Sequence, residues 1–311
     1  MLHALLDRSI VFSFDRTGYR RHARRFVPGE LEVDGRGRVA LVTGASSGLG
    51  VEIAHGLLAR GLSVVMACRD VAKGERVRAS LPHSERARVV RLDVGSLEEV
   101  RALADVWSGP LDILVHNAGA LLDRPVRTAD GLEQTVAVHL VGPFLLTHLL
   151  WPRLSTSTDA RVVHVSSGGM YGARLDVERL FAWPERGFDG VAQYAHAKRA
   201  QVIVAAELAR RSSGLAITAM HPGWADTPGV RTSLPRFFAL TRAILRTPAE
   251  GADTALFLAL AARARGASGF WFDRAPAPLH LGRRTAETEA ERARLWSTLC
   301  ARAGVPEGAF S

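Results

Sequence analysis

From Arg38 onward the chain alternates short runs that are apolar at every position with longer stretches whose apolar residues recur at intervals of three and four. The first pattern predicts strands over Arg38 to Thr43, Ser63 to Ala67, Ala87 to Leu92, Leu111 to His116, Ala160 to Val165 and Ala216 to Met220. The second predicts helices over Val51 to Arg60, Val71 to Ser80, Leu97 to Trp107, Leu132 to Leu150 and Gln193 to Arg211. A strand apolar on both of its faces must be covered on both, so the alternation implies an α/β fold with one parallel, doubly wound sheet between two helical layers.

Punctuation residues mark the ends. Gly61 is placed to stop the first of these helices, and Asp70 is expected to cap the one that begins at Val71. Residues 1 to 36 read as an extension made of a short helix, the arginine-rich Arg16 to Arg25 and a turn at Phe26-Val27-Pro28-Gly29. Gly266 to Gly282 reads as a last strand and a proline-rich return, and Glu287 to Ala303 as a terminal helix. This divides the chain into an extension (1 to 36), a sheet domain (37 to 282) and a helical tail (283 to 311).

Composition changes this picture little. The 311 residues are 47% hydrophobic, enough for a substantial core. The net charge of +9 comes almost wholly from arginines spread through every segment, with only Lys73 and Lys198 as lysines, so no basic block suggests nucleic acid. Cys68 and Cys300 are too far apart to form a disulfide framework or a metal site, which fits a reducing, cytoplasmic compartment. Apolar runs such as Leu145 to Trp151 are too short to span a bilayer. Met1 to Phe14 carries an apolar stripe interrupted by Asp7 and Arg8; docking on the protein body is its first reading, and contact with a membrane surface the second.

The candidate chemistry begins where the first strand ends. Gly44-Ala45-Ser46-Ser47-Gly48-Leu49-Gly50 follows a strand and opens a helix, the context in which glycines admit a diphosphate to a helix amino end. The second strand ends Ala67-Cys68-Arg69, with no carboxylate to hold a ribose 2′-hydroxyl and a guanidinium able to pair with a 2′-phosphate. NADP(H) is therefore expected rather than NAD(H). Tyr194 and Lys198 stand four apart on a predicted helix, hence on one face. A phenol titrates near ~10, and a neighbouring ammonium would draw it toward a value useful for acid catalysis.

Thr43 to Gly50, Asn117-Ala118-Gly119 and Tyr194 with Lys198 resemble the short-chain dehydrogenase/reductase superfamily, a Rossmann-type fold, from about Arg38 to the end of the sheet. Ser166 to Met170, Met220 to Val230, Glu250 to Thr254 and Gly18-Tyr19 with Phe26 to Pro28 resemble its branch called dehydrogenase/reductase SDR-family member 12. The resemblance implies that Asp93 and Val94 contact the adenine, and that Asn117, Ala118 and Gly119 wall its ribose and steady the sheet. It also implies that Pro222, Gly223 and Ala225 face the nicotinamide and that Thr227 reaches the diphosphate. Tyr194 becomes the proton donor, with Lys198 binding the nicotinamide ribose and lowering the phenol's pKa. Ser167 would donate to the carbonyl oxygen, with Ser166 as the fallback. One departure stands out: His139 occupies the place of an asparagine that commonly holds a relay water, and is either an altered relay or a satisfied core residue. His116, before Asn117, reads as a tolerated replacement.

These readings converge on an NADP(H)-dependent oxidoreductase acting on the carbonyl or secondary alcohol of a small apolar molecule. Leu234, Phe237, Phe238 and Leu240 are expected either in a lid over that molecule or in ordinary helix packing. The alternative is a cofactor-binding sensor or scaffold in which the chemistry has decayed, motivated by His139. Kinship also implies a homo-oligomer.

Overall fold

Residues 10–183, 186–212 and 214–310 are described by the structure, a computed structural model. Residues 1–9, where the apolar stripe begins, lie outside them. The strands are β1 Val39–Thr43, β2 Ser63–Cys68, β3 Ala87–Arg91, β4 Ile113–His116, β5 Arg161–Val165, β6 Ala216–Met220, β7 Ser268–Phe272 and β8 Ala275–Pro276. They form one sheet in the order β3-β2-β1-β4-β5-β6-β7-β8, parallel throughout except for β8. The order reverses between β1 and β4, where Ala40, Leu41 and Val42 lie opposite Ile113, Leu114 and Val115. A crevice at the carboxyl ends of those strands is the place such sheets offer a ligand.

The helices are α1 Ile10–Phe14, α2 Arg16–Ala23, α3 Leu49–Leu58, α4 Val71–Ser80, α5 Leu97–Asp105, α6 Gln134–Leu154, α7 Val177–Phe181, α8 Gly190–Arg211, α9 Pro228–Ser233, α10 Pro235–Thr241, α11 Pro248–Leu260 and α12 Glu289–Ala303. One face of the sheet is covered by α3 and α11, whose Ile53, Leu57, Phe257 and Leu258 are buried with Val42, Val115 and Val163. The other is covered by α5, α6 and α8, with Leu295, Trp296 and Leu299 of α12 packed into the same apolar cluster.

The expected alternation is present, with ends displaced by a few residues because caps override propensity. Asp70 caps α4 by accepting from the Lys73 amide at 2.8 Å. Asp189 starts α8 three residues earlier than periodicity indicates, accepting from the Ala192 amide at 3.0 Å. The arginine-rich stretch is itself helical, capped by Asp15 through the Gly18 amide at 2.8 Å. Although no apolar run looked long enough to cross a bilayer, α6 satisfies that test by length and composition; it is mostly buried as the core helix between sheet and α12. Within α6 one turn, Ala137–Val141, widens to a π-helix, closed by the Gly142 amide on the Ala137 carbonyl. Such turns arise where a helix accommodates a local constraint, often at a functional site.

Candidate active site

The Gly-rich turn leaves β1 with Gly44 at φ +66° and enters α3 through Gly48 at φ +55°, a conformation that side chains rarely adopt. A Cβ on Gly44 would lie 2.8 Å from the Ala118 Cα, and one on Gly50 2.3 Å from the Gly44 carbonyl oxygen. The turn therefore exists only with glycine at these places. No side chain caps the start of α3, so its first amides are free to meet an anion. Thr227 stands across the turn from Gly48, and its hydroxyl accepts from the Val230 amide at 3.3 Å as the cap of α9. This cradle suits a diphosphate. Ser46, Ser47 and Leu49 complete the turn; Ser46 hydrogen-bonds the buried Cys68 thiol, and Leu49 packs toward Gly251. Arg69 follows β2 with an exposed side chain.

Thr43, which opens the motif but was assigned no role there, holds this end of the sheet together. Its hydroxyl accepts from the Asn117 and Ala118 amides at 3.0 and 3.1 Å and donates to the Val115 carbonyl at 3.3 Å. The Asn117 side-chain amide donates to the Thr43 and Gly44 carbonyls at 2.9 and 3.3 Å, which locks the β1 and β4 ends together. A threonine at the last strand position before the glycines was the available signal. Asp93 accepts from the Gly95 amide at 2.9 Å. The Val94 side chain is part of the core, which leaves only its backbone for a ligand.

Tyr194 and Lys198 lie on the face of α8 turned toward the sheet ends, with the Lys198 ammonium 5.7 Å from the Tyr194 ring centre. The adjacent serines part company. Ser166 donates to the Lys198 carbonyl at 3.1 Å and is spent on holding α8, whereas Ser167 accepts from the Gly169 amide at 3.1 Å and hydrogen-bonds the Tyr194 phenol. Lys198 is buried; its ammonium donates to the Val165 carbonyl at 2.7 Å and to the Gln201 amide oxygen at 3.2 Å, leaving one proton unassigned.

The expected electrostatics needs correction. Burial raises the Tyr194 pKa, with only the Ser167 hydrogen bond opposing it, and burial lowers Lys198 to about 7. Desolvation disfavours the charged form of each group and dominates both shifts, so the ammonium does not draw the phenol down. At neutral pH the phenol keeps its proton.

His139 sits on the π turn, fully buried, with its ring edge-on to Tyr194 at 5.2 Å. Burial and then the Lys198 charge hold its pKa well below the ordinary value, so the imidazole is neutral. Its Nε2 lies 2.8 Å from the Ala120 carbonyl and 3.1 Å from the Ala120 amide, donating to the first or accepting from the second according to the tautomer, and a Cβ on Gly119 would lie 2.9 Å from its Cε1. His116 bonds Thr147 at 2.8 Å and lies 4.7 Å from the ring of His164, whose pKa burial lowers to about 3.

After β6, Gly223 turns at φ +70° and Ala225 pairs with Arg246 in a parallel bridge. The Asp226 amide and the Trp224 carbonyl make the two bonds to the Arg246 backbone, so the N–H and C=O of Ala225 point to the opposite side. In the α9–α10 segment, Phe237 meets Trp224 edge-on at 5.2 Å, Ser233 bonds the Leu121 carbonyl at 3.0 Å, and Leu240 is 87% exposed.

The description "short chain dehydrogenase" belongs to the family whose pattern matches residues 38–176. A bovine (Bos taurus) protein, dehydrogenase/reductase SDR family member 12, is 38% identical over 91% of this chain and 91% of its own. The chain belongs to the short-chain dehydrogenase/reductase family. Human retinol dehydrogenase 12 is 36% identical to this family member over 86% of the chain and 87% of its own length. A solved structure of an uncharacterized protein from Mycobacterium Paratuberculosis superposes with a TM-score of 0.72 at 29% identity, covering 89% of this chain and 97% of that one. As a short-chain dehydrogenase/reductase the protein is an oxidoreductase whose fold binds a nicotinamide cofactor.

Proposed function

We propose that the protein is an NADP(H)-dependent reductase of an apolar carbonyl compound, and in reverse a dehydrogenase of the corresponding alcohol. The observation that carries this reading is the buried Tyr194 phenol, protonated and hydrogen-bonded by Ser167, one helical turn from Lys198 at the carboxyl edge of the sheet. The Gly44–Gly50 cradle would hold the diphosphate, Asn117, Ala118 and Gly119 the adenine ribose, and Asp93 with the Val94 backbone the adenine. Pro222, Gly223 and the outward-facing peptide groups of Ala225 would meet the nicotinamide. Arg69 would pair with the 2′-phosphate, a bond for which no carboxylate at position 68 competes.

Bound NADPH supplies the hydride. Tyr194 would give its proton to the carbonyl oxygen as that atom gains charge, and Ser167, held by the Gly169 amide and hydrogen-bonded to the phenol, would turn its hydroxyl proton to the same oxygen when substrate is bound. The unassigned proton of Lys198 would bond a ribose hydroxyl. The apolar and incompletely buried α9–α10 segment supports a hydrophobic substrate, as does the name of the retinol-active relative. The two free cysteines fit a reducing compartment, and cytoplasmic residence is part of this proposal. A homo-oligomer rests on kinship.

A screen of aldehydes, ketones and alcohols with NADPH and NADH, on the parent and on His139→Asn, tests the reading. Turnover by the parent with NADPH preferred is the expected result. The rival, a cofactor-binding sensor, draws on one observation: His139 bonds the Ala120 backbone rather than Lys198. Turnover confined to His139→Asn would establish that rival.

A further inference from the structure

Arg246 is buried in the loop before α11, and all five of its guanidinium protons have acceptors. Nε donates to the Phe14 carbonyl at 2.9 Å, Nη2 to the Ser13 carbonyl at 2.9 Å and Nη1 to the Pro222 carbonyl at 3.4 Å. The remaining two protons go to the two Asp273 oxygens, at 2.5 and 2.9 Å. His22 of α2 bonds the same carboxylate at 2.6 Å. Burial works against the charge of Asp273, yet the His22 bond and the guanidinium keep its pKa below the ordinary value. The backbone of Arg246 meanwhile makes the bridge to Trp224 and Asp226.

One residue thus touches three separate parts of the chain: the extension at Ser13 and Phe14, the Pro222–Asp226 loop, and the β7–β8 turn. Two details show that the arrangement is built at a conformational cost. A Cβ on Gly223 would lie 2.5 Å from the Arg246 Nε, so the guanidinium lies flat against a residue that can only be glycine. Asp273 and Arg274 both hold positive φ, +47° and +59°, in a turn with no glycine. The extension also reaches the other wall of the site. The Phe14 ring packs on His221 at 4.5 Å and on Phe272 at 5.2 Å, and a Cβ on Gly168, next to Ser167, would strike it at 2.5 Å.

We propose that Arg246 is a positioning residue that couples docking of the α1–α2 extension to the nicotinamide loop, so that cofactor binding and extension docking stabilise one another. The proposal rests on the reading of Pro222–Ala225 as that loop. Linkage makes the effect reciprocal: whatever orders Pro222–Asp226 also tightens Ser13 and Phe14. Lysine cannot replace Arg246, because three donors on a flexible stem cannot serve a flat set of five.

Amide hydrogen exchange of the full chain with and without NADPH tests it. In the parent, NADPH is expected to slow exchange at the Gly44–Gly50 turn and, at a distance, in residues 10–25. In Arg246→Lys the turn should still respond while the response of residues 10–25 disappears, and the NADPH dissociation constant should rise about tenfold or more. Phe14→Ala, which spares the ion pair, should weaken NADPH binding in the same direction, with Phe14→Leu restoring most of it. Protection of the turn in the parent with no change in residues 10–25 overturns the coupling and leaves the proposed function standing. No NADPH effect anywhere in the parent overturns both.

Discussion

The two sides of the carboxyl edge are built by different means. On the β1–β4 side the nucleotide cradle is almost entirely backbone: Gly44, Gly48 and Gly50 make the turn, and Thr43 and Asn117 tie neighbouring strand ends with hydrogen bonds. On the β6–β7 side the loop from Pro222 to Thr227 is held by a buried arginine, whose partners come from residues 13, 14 and 273. The first side is fixed by steric exclusion and tolerates few side chains. The second is fixed by charge and depends on the extension being in place. Tyr194, Lys198 and Ser167 stand at the seam between them.

The largest effect should come at that seam. Tyr194→Phe should lower turnover by about 10³-fold or more, the scale of lost general-acid catalysis, while NADPH affinity stays within a few fold in fluorescence titration. Retained turnover would remove the assigned acid. On the steric side, Gly50→Ala places a methyl against the Gly44 carbonyl. It should cost about 1–3 kcal/mol of stability by urea unfolding, the usual penalty of overpacking, together with weaker NADPH binding. Unchanged stability and binding would show that the cradle is not sterically determined. Arg69→Ala should raise KM for NADPH about tenfold and leave KM for NADH almost unchanged, as loss of one charge-assisted bond predicts; equal effects on both would remove Arg69 from the phosphate site.

The last effect is gradual, a slope with pH. Burial lowers Lys198 to about 7, whereas in the unfolded chain it titrates near ~10.4. Between those values the unfolded state holds a proton that the native state has released, so this group adds stability as pH rises and withdraws it as pH falls toward 7. Urea unfolding of the parent and of Lys198→Met should therefore diverge across that window and run parallel below it. Curves parallel throughout would mean that the lysine is solvated.

Much of this could be read in advance, and the failures are specific. The Gly44–Gly50 turn and the Tyr194–Lys198 pair lie within short windows, where glycine spacing and a four-residue step constrain geometry directly. Asp70 was legible as a cap for the same reason. Ser166 and Ser167 were not separable, because the difference is whether a hydroxyl finds the Lys198 carbonyl on another element. The pKa of Tyr194 was misjudged because the pairing with Lys198 shows in the sequence and the burial of both does not. The role of Thr43 was not legible because its three partners lie on β4 and the loop that follows.

By itself the sequence determined the α/β alternation, the place of the glycine turn and the helical pairing of phenol and amine, since periodicity and steric exclusion act between near neighbours. Only the tertiary structure decided that His22 and Asp273, 251 positions apart, would share a hydrogen bond beneath the Pro222–Asp226 loop, with Arg246 bonded to the same carboxylate. Burial and long-range hydrogen bonds depend on which surfaces the packed sheet brings together, and no local window contains that information.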